Sequence, residues 1–154
     1  MTVQQTLGII KPDATERKLS WTIICMARNF GLNLVALDSR TLTREVAEAL
    51  YAEHSSKDWF PLQIDYMTSG PVDCVVFHGE DAVRKWRALM GPTDITKATP
   101  GTIRHAFALD FRRNSVHGSD SLESATREIQ LIFGRSWTND LNWQSMALPY
   151  REDV

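Results

Sequence analysis

The segment 72–77, Val-Asp-Cys-Val-Val-Phe, most constrains the fold, because it is a short and almost uninterrupted run of apolar residues. It follows the turn-forming sequence Ser69-Gly70-Pro71 and is short for a helix. Apolar side chains on both faces are typical of a strand that is covered on both sides. The segment therefore predicts a buried central strand, around which the other elements must be arranged.

The remaining periodic segments predict three more strands and five helices. Strands are predicted at 3–10, at 32–42 and at 107–111, where Phe107, Leu109 and Phe111 alternate with Ala and Asp. Helical spacing of apolar residues predicts helices at 13–30, 43–54, 59–68, 80–90 and 122–133. The order predicts an α+β fold of the ferredoxin-like class, a four-stranded antiparallel sheet with helices packed on one face.

Two acidic pairs are interpreted as helix caps. Asp13 with Glu16, and Asp120 with Glu123, have the three-residue spacing of a capping box. Each pair would satisfy free backbone N–H groups in the first turn of its helix.

Charge, cysteines and the N-terminus limit the classes of function. The 17 basic and 19 acidic residues give a net charge of −2, which argues against nucleic acid or an anionic membrane as the main partner. Cys25 and Cys74 lie in separate apolar runs and are predicted to be reduced core thiols. Without a signal pattern or a membrane-spanning apolar run, the chain is expected to be soluble and cytoplasmic.

His117 is the first candidate for chemistry. It lies in the sequence RNSVHGSDS, among small and turn-forming residues, and is predicted to occupy a loop between the fourth strand and the last helix. A neutral imidazole offers a nucleophilic lone pair at neutral pH. This stretch by itself is compatible with two interpretations of His117, an ordinary loop histidine and a catalytic one. His54, His78 and His105 are scattered among other elements, so a zinc site is not expected.

Several motifs together resemble one enzyme family. Asn114-x-x-His117-Gly118-Ser119-Asp120 is similar to the active-site signature of the nucleoside diphosphate kinases. The family's other motifs occur in the same order: Lys11-Pro12-Asp13, Ser69-Gly70-Pro71, Leu89-Met90-Gly91 and Pro100-Gly101-Thr102-Ile103-Arg104. The resemblance covers about residues 5–133, which predicts a kinase domain at 1–133 and a C-terminal tail at 134–154.

The resemblance implies a function. It predicts ping-pong transfer of the γ-phosphate of ATP or another nucleoside triphosphate to a nucleoside diphosphate, through phospho-His117, with Mg²⁺ as cofactor. The chain offers no carboxylate cluster for this ion, so Mg²⁺ is expected to arrive on the nucleotide phosphates rather than on a protein site. The resemblance also implies a homo-oligomer.

Roles carry over from the family to matching positions. By resemblance, Glu128 fixes the His117 tautomer, Ser119 hydrogen-bonds near Glu128, and Tyr51 lies beside the histidine during transfer. By the same resemblance, the phosphates would be bound by Lys11, Arg87, Thr93 and Arg104. The sugar would be bound by Asn114 and Lys11, and the base would lie against Trp59 and Phe111.

The chain also departs from the family pattern. Trp59 stands where phenylalanine is usual and Phe111 where a smaller aliphatic residue is common, but a flat apolar platform still stacks every base, so broad base acceptance is expected. Further departures fall at His105-Ala106, Trp21-Thr22 and Ile95-Thr96. The tail, with Trp137, Trp143 and Tyr150, would pack on a neighbouring subunit, on a partner or on its own domain.

Two alternatives of other classes stay open. The first is a binding module that holds nucleotide, or a partner through its tail, without phosphate transfer. The second is a nucleic-acid-binding domain that uses Arg112-Arg113, Arg84-Lys85 and the tryptophans, although its sheet would need exposed aromatic residues and a basic face.

Overall fold

The computed structural model describes residues 2–134. It contains four strands: β1 (Val3–Ile10), β2 (Asn33–Arg40), β3 (Val72–Glu80) and β4 (Val116–Gly118). It contains seven α-helices: α1 (Pro12–Glu16), α2 (Ser20–Asn29), α3 (Arg44–Leu50), α4 (Phe60–Met67), α5 (Ala82–Met90), α6 (Ile103–Phe107) and α7 (Leu122–Phe133). Short 3₁₀ turns lie at Ala52–His54 and Ile95–Lys97. Within this described part of the chain, no helix has the length and apolar character needed to cross a membrane.

The four strands form one antiparallel sheet in the order β2-β3-β1-β4. Strand β3 is hydrogen-bonded on both sides and is mostly buried, which confirms the central strand predicted from segment 72–77. The α+β, ferredoxin-like arrangement is also confirmed.

Helices cover both faces of the sheet, so the prediction of helices on one face is wrong. Side chains alternate along a strand: in β3, Val75 and Phe77 pack with helices α2 and α5, whereas Cys74 and Val76 pack with α3, α4 and α7. The nearly continuous apolar run of β3 follows from this double cover.

The predicted strand at 107–111 is wrong. Phe107 ends helix α6, whose first turn is capped by the Thr102 hydroxyl accepting from His105 N at 3.3 Å. Leu109 and Phe111 are 50% and 64% exposed in a turn held by Asp110, whose carboxylate accepts from the backbone N–H groups of Arg112 and Arg113. The apolar alternation is real, but the local turn competes with strand pairing. The fourth strand is β4.

Neither predicted capping box forms. The carboxylate of Asp13 bonds distant side chains instead, and the predicted helix 13–30 is divided into α1 and α2. At α7 the cap is Ser121, whose hydroxyl accepts from Ser124 N at 3.0 Å, while Asp120 accepts from the Ser124 hydroxyl. A tertiary contact in one case and a neighbouring hydroxyl in the other replace the predicted bonds.

The two cysteines differ. Cys74 is fully buried on β3, and burial raises the pKa of its thiol to about 12, as expected for a reduced core thiol. Cys25 is exposed, so its prediction as a core residue is wrong. It lies four residues after the 66% exposed Trp21 on α2, and residues at that spacing share one helix face.

Trp86 of α5 packs onto a floor of two paired glycines. Gly8 on β1 and Gly118 on β4 face each other across the sheet, and the fully buried indole lies against both. The indole N–H donates to the carbonyl oxygen of His117 at 3.2 Å. The missing side chains let α5 approach closely enough to hold the backbone of His117.

We expect Gly118→Ala to destabilise the protein by about 1–3 kcal/mol, because overpacking forces neighbours to move. An added Cβ would lie 2.5 Å from Trp86 Cδ1 and 2.7 Å from Met90 Sδ. Urea unfolding measures the loss. Gly70→Ala is the matched control, because its Cβ would meet nothing closer than 3.9 Å. Equal stability of the two variants would contradict this account of the glycine floor.

Candidate active site

A cleft of ≈ 350 Å³ opens beside β4 and gathers side chains from elements far apart in sequence. Ten of the eleven predicted site residues line it: Lys11, Tyr51, Trp59, Arg87, Thr93, Arg104, Phe111, Asn114, His117 and Glu128. The eleventh, Ser119, is buried and contacts Glu128.

His117 lies on β4 itself, so its predicted place in a loop is wrong. In the alternation of the strand, Val116 and Gly118 face α5, and His117 points to the opposite face, towards α3 and α7. There its Nε2 lies 3.1 Å from Oε1 of Glu128, and its side chain is 16% exposed. A strand position holds the ring more rigidly than a loop would, because both neighbours are packed in the sheet.

Glu128 is the hydrogen-bond partner of the His117 ring. Burial raises the pKa of the Glu128 carboxyl. The hydrogen bond and the charge of His117 lower this pKa, and so does the hydrogen bond from the Ser119 hydroxyl. Together these outweigh burial, so the pKa lies below its ordinary value. The carboxylate is therefore ionised at neutral pH and can only accept hydrogen bonds. A neutral imidazole that donates to this carboxylate carries its hydrogen on Nε2, which leaves the lone pair on Nδ1.

Lys11 is a buried basic group in the lining of the cleft. Its Nζ donates to Oδ1 of Asn114 at 2.7 Å, and the Asn114 amide donates to the carbonyl oxygen of Phe111 at 3.1 Å. Burial, followed by the nearby charge of Arg104, lowers the pKa of Lys11 to about 7. A bound anion would stabilise the charged form of the amine against both burial and the repulsion by Arg104. This amine is therefore suited to binding a negatively charged ligand.

Arg104 is a second, largely fixed cation. Its two terminal nitrogens donate to the carbonyl oxygens of Gly91 and Val116, each at 2.9 Å. Burial and the charge of Arg87 lower the pKa of the guanidinium to about 10, so it remains charged at neutral pH. Arg87 and Thr93 are exposed at the cleft, which leaves their side chains free to adjust to a ligand.

Two aromatic side chains mark the outer part of the cleft. Trp59 and Phe111 are 37% and 64% exposed, and the ring of His54 lies 5.1 Å from that of Trp59, centroid to centroid. Exposed aromatic rings at a cleft provide apolar faces for a flat ligand.

A buried network behind β4 was missed from the sequence. Asp13 Oδ2 accepts from the Ser115 hydroxyl at 3.0 Å and from Arg17 Nη2 at 2.9 Å, and Asp13 Oδ1 accepts from the Tyr66 hydroxyl. Ser115 is held at a φ of 75°, in the left-handed region, immediately before β4. The network fixes the backbone that leads to His117. The sequence signal at this place is Asp13 in Lys11-Pro12-Asp13, whose spacing to Glu16 predicts a helix cap instead.

Other cleft residues also went unnoticed in the sequence. Gln63, His54, Arg127 and Glu53 line the cleft, and Arg127 contacts Glu53 at 3.4 Å. Their segments predicted helices, but helical periodicity carries no signal for which polar residue faces a cleft. Of the family departures, Trp59 and Phe111 lie at the cleft, whereas Trp21, His105 and Ile95 lie outside it.

The class that fits this fold and this cationic cleft is a ferredoxin-like phosphotransferase. Known proteins support the same class. The family model described as nucleoside diphosphate kinase matches residues 4–137. A nucleoside diphosphate kinase of Frankia casuarinae is 48% identical over 133 residues, which cover 86% of this chain and 97% of that protein. One from Histophilus somni (strain 2336) is 46% identical over 136 residues, covering 88% and 96%.

Solved structures agree with the sequences. The nucleoside diphosphate kinase of Aquifex aeolicus superposes with a TM-score of 0.82 at 38% identity, covering 86% of this chain and 96% of that one. The Halobacterium salinarum enzyme, in complex with CDP, has a TM-score of 0.83 at 36% identity, covering 90% and 95%. The chain belongs to the nucleoside diphosphate kinase family. Its activity is the transfer of the terminal phosphate of a nucleoside triphosphate to a nucleoside diphosphate.

Proposed function

We propose that His117 carries the phosphate between the two nucleotides in a ping-pong reaction. Nδ1 attacks the γ-phosphorus, the bond from this phosphorus to the bridging oxygen breaks, and the nucleoside diphosphate leaves with that electron pair. A second nucleoside diphosphate then attacks the phosphorus through a β-phosphate oxygen, and the N–P bond breaks. The observation that carries the proposal is the bond between His117 Nε2 and the ionised Glu128, which leaves Nδ1 as the nucleophile.

The cations of the cleft bind and neutralise the phosphates in this proposal. Phosphoryl transfer spreads negative charge over non-bridging oxygens, so fixed donors are needed where that charge develops. Lys11 and Arg104 are already held in place by hydrogen bonds, whereas Arg87 and Thr93 close on the bound phosphates. Tyr51 donates its hydroxyl hydrogen to the transferring group, and burial, which raises the pKa of this phenol to about 12, keeps it protonated.

The nucleoside occupies the outer part of the cleft. Lys11 and Asn114 bind the sugar, and the base stacks between Trp59 and Phe111, whose exposed rings support this assignment. Stacking offers little hydrogen-bond discrimination, so broad base acceptance follows.

Mg²⁺ enters as part of the nucleotide. Within residues 2–134, no group of three metal-binding side chains lies together, and the three acidic residues of the cleft are engaged by protein partners: Glu128 by His117, Asp120 by Ser124 and Glu53 by Arg127. This donor set fits an ion held by phosphate oxygens and water. When bound, Mg²⁺ neutralises phosphate charge.

We also propose a homo-oligomer located in the cytoplasm. Exposed apolar side chains on α2, at its C-terminal end and on the edge strand β2 support assembly, namely Trp21, Phe30 and Leu37. The kinase domain is proposed to span 1–133. The tail 134–154, proposed as an oligomer or partner contact, lies almost entirely outside the described residues.

The test is to incubate the protein with γ-labelled ATP and Mg²⁺, isolate it and add different nucleoside diphosphates. We expect acid-labile, base-stable label on the protein, which then moves to GDP, ADP, CDP and UDP at rates within about tenfold of one another, because stacking tolerates every base. Transfer to a single base only would contradict the role of Trp59 and Phe111. Nucleotide binding without label would contradict the enzyme and favour a binding module.

A nucleic-acid-binding function has less support in the structure. The exposed aromatic residues of the cleft, Trp59 and Phe111, lie in turns rather than on a sheet face, because both faces of the sheet are covered by helices. Salt-sensitive binding of single strands that persists in His117→Asn would favour it.

A further inference from the structure

Gln63 of α4 is a polar side chain without an assigned role at the cleft. It is buried, with 7% of the residue exposed, and it lines the cleft beside Tyr51. Its Nε2 donates to the hydroxyl oxygen of Tyr51 at 3.2 Å. A buried amide in a catalytic cleft requires hydrogen-bond partners, and this one uses the phenol next to His117.

The bond to Gln63 constrains the hydrogen of the Tyr51 hydroxyl. A phenol has one hydrogen to donate and lone pairs to accept with, and Gln63 occupies one lone pair. Burial keeps the phenol protonated, so the hydrogen is always present. Within residues 2–134, the structure gives this hydrogen no protein acceptor, and the hydrogen must point away from the Gln63 amide.

The ring of Tyr51 is also fixed relative to His117. The two rings are 5.6 Å apart between centroids and inclined by 66°, so the phenol meets the imidazole in an edge arrangement. A phosphoryl group on Nδ1 would bring strongly accepting oxygens to this part of the cleft. Gln63 therefore determines which way the donor of Tyr51 points.

We propose that Gln63 is a positioning residue for phosphoryl transfer, holding the Tyr51 hydroxyl so that its hydrogen is directed at the phosphoryl group of His117. The inference rests on the proposed role of His117. Gln63 acts on the transition state through Tyr51 and makes no contact of its own with the transferring group.

The first experiment replaces Gln63 with methionine, which has a similar length and no N–H donor. We expect kcat to fall by about 3- to 10-fold, the effect of losing one neutral hydrogen bond, with the KM for nucleotides changed less than about twofold. Gln130→Met is the matched control, because Gln130 is exposed on α7 outside the cleft and its replacement should leave kcat unchanged.

A double-mutant cycle with Tyr51→Phe separates positioning from packing. Without the hydroxyl, Gln63→Met should have less than about a twofold effect on kcat, because its partner is gone. The proposal is overturned if Gln63→Met leaves kcat unchanged, or lowers it equally in both backgrounds. Failure of the His117 proposal itself would appear separately, as absence of label on the native protein.

Gln63→Glu provides a second test that keeps the size of the side chain. The ionised carboxylate accepts the Tyr51 hydrogen and withdraws it from the cleft, whereas the protonated acid can donate as the amide does. Activity relative to the native protein at the same pH should therefore recover as pH falls. Recovery that persists unchanged in the Tyr51→Phe background would overturn the proposal, since charge repulsion by itself would explain it.

Tyrosine NMR gives a readout that does not depend on activity. The chain has three tyrosines, so ¹³Cζ labelling gives few signals to assign. Gln63→Met should move the Tyr51 signal, and Gln130→Met should leave it in place. An unmoved Tyr51 signal in a folded Gln63→Met protein would overturn the proposal.

Discussion

His117→Asn is expected to lower phosphoryl transfer by more than about 10⁴-fold, because the only proposed route passes through a covalent bond to Nδ1. Asparagine keeps a polar group of similar reach and cannot form this intermediate. Nucleotide affinity should stay within about threefold, since the cations that bind phosphate do not depend on the imidazole for their hydrogen bonds.

The measurement pairs steady-state transfer from ATP to GDP with equilibrium binding of ADP. His105→Asn is the matched control, because His105 is exposed on α6, its ring contacts the carbonyl oxygen of Ala98, and it does not line the cleft. Transfer that survives in His117→Asn would remove this histidine from the mechanism. Lost ADP binding would instead make its role structural.

Lys11→Met is expected to lower kcat/KM by about 10- to 150-fold near pH 6, the effect of a hydrogen bond to a charged group. The loss should be larger than for an exposed cation, because the amine is buried and bonded to Asn114. Lys57→Met, on the exposed segment before Trp59, is the matched control and should be nearly silent.

The effect should depend on pH in one direction. Burial and Arg104 lower the pKa of Lys11 to about 7, so the amine is charged below that pH and becomes neutral above it. Because kcat/KM reports the free enzyme, the advantage of the native protein over Lys11→Met should shrink as pH rises from about 6 to about 9. A constant ratio would show that the charge on Lys11 does not titrate in this range.

Stability should show the opposite dependence. The unfolded chain holds the Lys11 proton up to its ordinary pKa of 10.5, whereas the folded protein releases it near 7. The unfolded state binds more protons between these values, so the free energy of unfolding attributable to Lys11 rises with pH through that window. Comparing urea unfolding of the native protein and Lys11→Met at both ends tests the same pKa by an independent route.

Much of the fold could be predicted from periodicity. The central strand is indicated by a continuous apolar run, and the helix at 122–133 by apolar residues that recur every three to four positions. Both patterns arise because the side chains that face the core must be apolar. The strand at 107–111 failed because Leu109 and Phe111 have the alternation without the burial: their loop is held by Asp110. A one-dimensional pattern does not state whether an apolar side chain has anything to pack against.

The candidate site divides in the same way. The signature around His117 predicted a nucleophile and the residues near it, because the spacing of that signature is family-specific. Its place on a strand, the direction of its ring and the network of Asp13 with Ser115 depend on which residues meet across the sheet. Gln63 carried no sequence signal, since one amide in a helix resembles any other.

The sequence by itself determined the family, through its motifs, and the central strand of the sheet, through apolar periodicity, because both are local properties of the chain. Only the tertiary structure decided the hydrogen-bond partners and the pKa values of the side chains in the cleft. The tautomer proposed for His117 depends on Glu128 of α7, and the lowered pKa of Lys11 depends on Arg104 and on burial, which folding brings together from separate segments of the chain. Electrostatic energy depends on distances through space and on exclusion of water, and folding creates both.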